Sequence, residues 1–306
     1  MLEFLARRVL HGAIVVFGVT TIAFVVTRLI GDPVAVMLPM DASPEQRLDL
    51  AARLGLDRPL WDQYVSFMSG IARFDLGLSF WQSRPALDIV RESLPGTLFL
   101  VCWASALALF IGAAAGAFAA MRPGAAADRY ILITSLLGLS LPQFWLALLL
   151  ILIFAVALGW LPSSGADTLR HAILPVIALA LPSAGRLAIV VRSQLIDELN
   201  QAYVRTAEAK GMTFPRVVGI HAARNAANAT LTIAGWEFIR MLAGYSIVVE
   251  SVFAWPGIGF LALQAIQRQD AILLQCIVFV VAILVVITNL TLAIIHRIID
   301  PRAHIG

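Results

Sequence analysis

Residues 1–29 read MLEFLARRVLHGAIVVFGVTTIAFVVTRL, and the classification of this stretch decides the fold class. Arg7 and Arg8 precede an apolar run, which is how a secretory leader opens. The run is too long for a leader's apolar core, and no small-residue cleavage site follows it. It is long enough to cross a bilayer, because about 20 apolar residues of helix cover the hydrocarbon core. The stretch predicts a first spanning helix over about 9–29.

The same signal recurs at about 98–120, 130–158, 171–192, 229–250 and 271–296, so the sequence predicts an all-α polytopic membrane protein with six spans. Composition agrees. The 306 residues are 60% hydrophobic and 13% charged with a mean hydropathy of +0.88, whereas soluble domains carry roughly 25% charged residues. The apolar blocks leave no room for a separate soluble core, which predicts one membrane domain over residues 1–306. Cys102 and Cys276 lie inside these blocks and read as small apolar side chains. The net charge of +3 is spread over dispersed arginines, with Lys210 the one lysine, and points to membrane topology rather than to a nucleic-acid partner.

Six spans put both termini on one face, together with Arg122, Arg129, Arg192, Arg205, Lys210 and Arg216. The short loops of the other face hold only Arg170 and Arg268. The positive-inside rule then predicts cytoplasmic termini in a multi-pass inner-membrane protein, an external loop at about 31–97 and a cytoplasmic loop at about 193–228. The external loop carries structure of its own. Ser43-Pro44-Glu45-Gln46 is an N-cap, a proline at the first helical position and a capping-box glutamine, and Gly55 closes that helix. After Pro59, residues Leu60, Trp61, Tyr64, Val65, Met68 and Ile71 share a helical face, and a third amphipathic segment runs from about Pro85 to Ser93. These segments are expected to lie against membrane lipid or against the bundle, either as covers for the span ends or as a receiving surface for a binding protein.

Several chemistries are absent. Lys210 sits between Ala209 and Gly211 rather than in a glycine-rich phosphate loop, so the chain is not itself an ATPase. His11, His171, His221, His296 and His304 show no zinc spacing and read as helix-end or packing residues. No nucleophile is placed beside a base.

Three constellations remain. Tyr203-Val204-Arg205-Thr206-Ala207-Glu208-Ala209-Lys210-Gly211 describes a short helix with small residues and a glycine stop, followed by a basic helix from about Pro215 to Asn225. Small side chains let such a helix seat closely in a partner's groove while flanking charges orient it. Glu237 and Arg240 lie three residues apart within a span, and charges there cost roughly 2.5–3.5 kcal/mol each on insertion scales. They form either a polar pathway or a structural ion pair, while Arg186 is expected to snorkel to the inner surface. Glu250 and Trp255-Pro256-Gly257-Ile258-Gly259 predict a tight turn or short re-entrant segment, as an outer gate or as a structural corner.

At Tyr203–Gly211 the chain resembles the permeases of ATP-binding cassette importers, in the dipeptide, oligopeptide and nickel branch, whose coupling loop typically reads Tyr-Val-Arg-Thr-Ala-Arg-Ala-Lys-Gly. Every position matches but Glu208. The resemblance extends through Gly18-Val19-Thr20, Gly31-Asp32-Pro33, Leu54 to Leu60, Asp75 to Ser79, and Leu141-Pro142 with Phe144-Trp145. It continues through Leu158 to Pro162, His171 with Leu174-Pro175, Glu250 with Trp255 to Gly259, and Asp300-Pro301-Arg302. It also implies a type I importer fold, ATPase coupling through Tyr203–Gly211, a second homologous permease, two ATP-binding subunits that hold ATP and Mg, and an external solute-binding protein. No cofactor is implied on this chain. Two departures are Glu208, which changes the charge offered to the ATPase, and Ala227-Asn228-Ala229 where the branch often has proline. The solute stays open among dipeptides, oligopeptides, glutathione and nickel chelates. An autonomous secondary transporter or channel is the alternative, although the paired broken helices of that class are not evident.

Overall fold

The computed structural model describes residues 2–30, 34, 38, 42–53, 55–213, 216 and 223–299; Gly31-Asp32-Pro33, Leu54, Pro215, His221, Asp300-Pro301-Arg302 and His304 lie outside them. Among the described residues the regular structure is helical, with one isolated bridge between Leu78 and Pro85. The helices are α1 (Leu2–Ile30), α2 (Pro44–Arg53), α3 (Leu60–Ala72), α4 (Ala86–Ala120), α5 (Ala126–Ser140), α6 (Gln143–Leu150), α7 (Leu169–Leu199), α8 (Ala202–Ala209), α9 (Ala223–Arg240), α10 (Ser246–Val252), α11 (Ile258–Gln267) and α12 (Ala271–Ile299). Wider π-helical turns follow α6 (Ile151–Ala157) and join α9 to α10 (Met241–Tyr245).

Among the described residues four helices, α1, α4, α7 and α12, are long and apolar enough to span. The continuous span expected at 130–158 is instead broken, with α5 and α6 bent by 105°. Pro142 supplies no amide hydrogen, and Leu141 before it takes the extended conformation (φ −78°, ψ 130°) that a following proline favours. The stretch expected at 229–250 is helical but interrupted by the π turn ahead of α10. The separate amphipathic segment expected at Pro85–Ser93 is the first part of α4, which runs on through Pro95.

The chain divides into two compact units, residues 1–97 with 256–287 and residues 98–255 with 288–306. In the first, the capping box is as read: the Ser43 amide donates to Gln46 Oε1 at 2.9 Å and the Gln46 amide to Ser43 Oγ at 3.3 Å. Gly55 closes α2 at φ +66°, a conformation that favours glycine. On α3 the expected face divides. Tyr64 packs edge-on against Phe24 and hydrogen-bonds Thr21 at 2.8 Å, whereas Leu60, Trp61 and Val65 are exposed. Leu76, Ile89 and Val90 join Ile258, Leu273 and Phe279 in the core, each large apolar side chain contributing about 1.5–3 kcal/mol on full burial. The Asp75–Ser79 motif has a structural role, because buried Asp270 accepts hydrogen bonds from Ser79 Oγ at 2.5 Å and from the Trp81 amide at 3.0 Å.

In the second unit α7 is the most enclosed span, with 56% of its apolar window buried. Its first turn is capped by Thr168, whose amide donates to His171 Nδ1 at 3.2 Å, so His171 has the helix-end role expected of it. Helix α4 approaches α7 closely. A Cβ at Gly116 would fall 2.5 Å from the Ala188 carbonyl oxygen, and one at Gly112 2.6 Å from Leu187 Cβ. Larger side chains there would force the two helices apart.

Candidate functional site

Helix α8 begins one short turn after α7 and is held to its own chain by one face. Val204 and Ala207 are buried, with Leu199, Tyr203 and Met212 packed against them. The opposite face, with Arg205, Thr206, Ala209 and Lys210, is exposed. Ala207 was expected to meet a partner; it is buried because the 3.6-residue period places it beside Val204 and Tyr203. Gly211 ends the element at φ +78°, with open space where a Cβ would project. Glu208 belongs to the helix, but its side chain lies outside the described residues, as does most of the basic helix expected from Pro215; Asn225 belongs to α9.

Two polar side chains anchor α8 from outside it. The Tyr203 hydroxyl donates to Glu198 Oε2 on α7 at 2.6 Å, and the Asn225 amide donates to the same oxygen at 3.2 Å. Burial first, and then the bond to the Glu198 carboxylate, raises the Tyr203 phenol above its ordinary value of 10.0.

Farther along α7 stand two carboxylate clusters. Glu237, buried, accepts from Ser183 Oγ at 2.7 Å through Oε2, and its Oε1 lies 3.2 Å from both Arg186 Nη1 and Arg240 Nη1. The expected Glu237–Arg240 pair is therefore part of a cluster of four. Arg186 turns onto the carboxylate instead of snorkelling, and a buried acid left without a cation would be costly. Asp128, also buried, takes both Nε and Nη2 of Arg192, the latter at 2.8 Å, and accepts the Gly124 amide at 2.7 Å. Sequence reasoning missed Ser183, Asp128, Arg192, Glu198 and Asn225. The available signal was a row of polar residues at 183, 186, 192 and 198 along one apolar helix.

The third constellation is divided between the two units. Glu250 is fully buried in α10, and its carbonyl accepts the Trp255 amide at 2.9 Å. Trp255 stacks on Phe99 with ring centroids 6.2 Å apart. In the other unit Pro256 is exposed, and Gly257 in extended conformation leads into α11, a ten-residue apolar helix too short to span.

The profile of the family described as "Binding-protein-dependent transport system inner membrane component" matches residues 112–305, and that of the family's N-terminal segment matches residues 1–101. The oligopeptide transport system permease AppB of Bacillus subtilis is 35% identical, with 99% of each chain covered. The di/tripeptide permease DppB of Pseudomonas aeruginosa is 36% identical over 99% of this chain and 98% of its own. The glutathione permease GsiC of Escherichia coli is 34% identical over 98% of both. A solved structure of the inward-facing MetNI methionine ABC transporter superposes with a TM-score of 0.61 at 20% identity, over 72% of this chain and all of the matched one. That likeness gives the fold, the type I importer permease fold.

Proposed function

The chain belongs to the family of binding-protein-dependent transport system inner-membrane components, and from that premise we propose that it carries a small peptide or peptide-like solute and is driven through α8. It is the permease subunit of an ATP-driven importer, a multi-pass inner-membrane protein that works with ATP-binding and solute-binding partners and catalyses no reaction itself. The finer reading is a single permease domain beside a second homologous permease and membrane lipid. Two ATPase subunits hold ATP and Mg, and a binding protein docks outside. Residues 31–97 are external, and 193–228 and both termini are cytoplasmic.

The observation that carries the mechanism is the division of α8 into a clamped face and a free one. A partner that grips Arg205, Thr206, Ala209 and Lys210 moves α8 as a rigid piece, because Val204, Ala207 and the Tyr203–Glu198 bond tie it to α7. From Glu198 to Arg186 is about 18 Å of continuous helix at 1.5 Å per residue. Displacement of α8 thus reaches the Arg186–Glu237–Arg240 cluster, which is the place for the charged ends of a peptide-like solute to be met. Glu250, Trp255, Pro256 and Gly257 serve as the outer gate in this reading.

A cysteine at Thr206 should cross-link to an ATP-binding subunit in the assembled importer, with a yield that changes when ATP is added. Absence of any cross-link, in a complex that still assembles, would remove α8 from the interface. Orientation is read by labelling intact cells in a Cys102→Ser background, since Cys102 is exposed and Cys276 buried. Ser83→Cys should label and Thr213→Cys should not, and the reverse pattern overturns the assignment.

A further inference from the structure

Within the first unit lies a cavity of about 500 Å³, lined by α1, α2, α3, the Arg73–Gly77 turn and the start of α12. Its size falls in the range of small-molecule sites, roughly 300–1,000 Å³. Its lining is unlike that of a crevice between apolar helices. Arg28, Arg58 and Arg73 all border it, and among the described residues none of the three makes an ion pair. Asp62 and Asp75 border it as well, and Asp75 spends one oxygen on the Gly77 amide at 3.2 Å.

Two buried polar atoms here have no partner among the described residues, Arg28 Nε and Gln63 Oε1. Gln63 is more than nine-tenths buried, with 9% of its surface exposed, and its orientation is fixed because its amide nitrogen donates to the carbonyls of Leu56 at 3.2 Å and Arg58 at 2.8 Å. Its oxygen is therefore an acceptor waiting for a donor. Arg28 lies with its guanidinium 5.4 Å from the Phe24 ring centroid, which leaves its Nε–H as a donor waiting for an acceptor. One cavity thus presents both an unpaired cationic donor and an unpaired acceptor, each unfavourable when buried alone.

We propose that this cavity binds a zwitterion, whose oxyanion is held by Arg28 with Arg58 and Arg73 and whose ammonium is held by Gln63 Oε1 with Asp62 and Asp75. Two sources supply that chemistry: the phosphoethanolamine headgroup of a membrane lipid, and a free dipeptide with its two charged termini. The exposed apolar residues Ile22, Val25 and Leu29 on α1 and Leu60 and Trp61 on α3 give acyl chains a place to lie. The site is separate from the coupling reading, since it involves neither α8 nor the Glu237 cluster.

The experiment uses the assembled importer purified without its binding protein. Native mass spectrometry after exposure to phosphatidylethanolamine or phosphatidylglycerol is one arm, and equilibrium binding of radiolabelled dialanine is the other. Retention of phosphatidylethanolamine over phosphatidylglycerol identifies the lipid source, and binding of dialanine the soluble one. In either case Arg28→Gln and Gln63→Leu should each weaken retention by roughly tenfold. Arg73→Gln, at an exposed position and so harmless to folding, should weaken it in the same direction. The proposal is overturned if neither ligand is retained, if phosphatidylglycerol is held as well as phosphatidylethanolamine with no dialanine bound, or if retention is equal in all three variants and the parent. Thermal unfolding of each complex separates loss of the site from loss of the fold.

Discussion

Asp128 and Glu237 are two buried carboxylates of one unit, both met by arginines of α7, and they are held differently. Asp128 engages both oxygens with a single guanidinium fork and one backbone amide, and Arg192 has 23% of its side chain exposed. Glu237 spends one oxygen on the Ser183 hydroxyl and shares the other between Arg186 and Arg240, which are 33% and 47% exposed. The first arrangement is closed, because both oxygens are engaged by one guanidinium in a fixed, bidentate geometry. The second is open. Two guanidiniums compete for one oxygen while part of each faces outward, so either can leave for another anion without stranding the acid. A clamp and an exchangeable junction on one helix are what a moving element requires, one end fixed to its neighbour and the other free to change partners.

The largest effect is expected where the clamp is cut. Asp128→Ala leaves Arg192 without its acid and the Gly124 amide without an acceptor, and should cost about 3–5 kcal/mol, read as a lower unfolding midpoint of the solubilised complex. Glu237→Leu should destabilise less, about 1–2 kcal/mol, because both arginines regain water through their exposed parts, yet it should abolish uptake. Equal destabilisation by the two variants would erase the distinction between clamp and junction. Replacing Glu237 and Arg240 together by Leu tests the same point, since Arg186 then remains unpaired; full transport by that variant would leave the cluster purely structural.

Sequence patterning was sufficient for the four unbroken spans, which depend on apolar composition along one segment, and for the Ser43–Gln46 capping box, which depends on residues within one turn of each other. It placed α8 correctly and misjudged Ala207, since which face a short helix buries depends on Leu199 and Met212 outside it. The Asp128–Arg192 and Glu237–Arg186 contacts join residues 64 and, by number, 51 positions apart, and no local pattern reports such a pairing. The 105° bend was written in Leu141-Pro142, but a proline inside a span need not break it: α7 continues through Pro175 and Pro182 as a single helix.

Smaller effects bear on how α8 is tied to α7. Gly211→Val puts a β-branched residue at φ +78°, a strain of roughly 1–2 kcal/mol, and should lower coupled uptake before it lowers assembly. Tyr203→Phe removes two hydrogen bonds, the one donated to Glu198 and the one accepted from Asn225, each worth about 0.5–1.5 kcal/mol, and should loosen α8 in hydrogen exchange. The phenol's folded pKa is raised. Its contribution is therefore complete below the unfolded value near 10 and lost as pH rises through the higher folded value, so the parent's α8 protection should fall toward that of Tyr203→Phe only in that alkaline window.

The most direct measurement places bulk on the free face of α8 while leaving its clamped face alone. Ala209→Trp, compared with the parent in reconstituted complexes, should preserve the permease fold, because Ala209 is exposed and outside the Val204–Ala207 cluster. It should separate ATP hydrolysis from solute uptake, or weaken attachment of the ATP-binding subunits, with uptake lost in either case. Normal assembly with parental ATPase activity and parental uptake would contradict the account, and α8 would then not be the element through which this permease is driven.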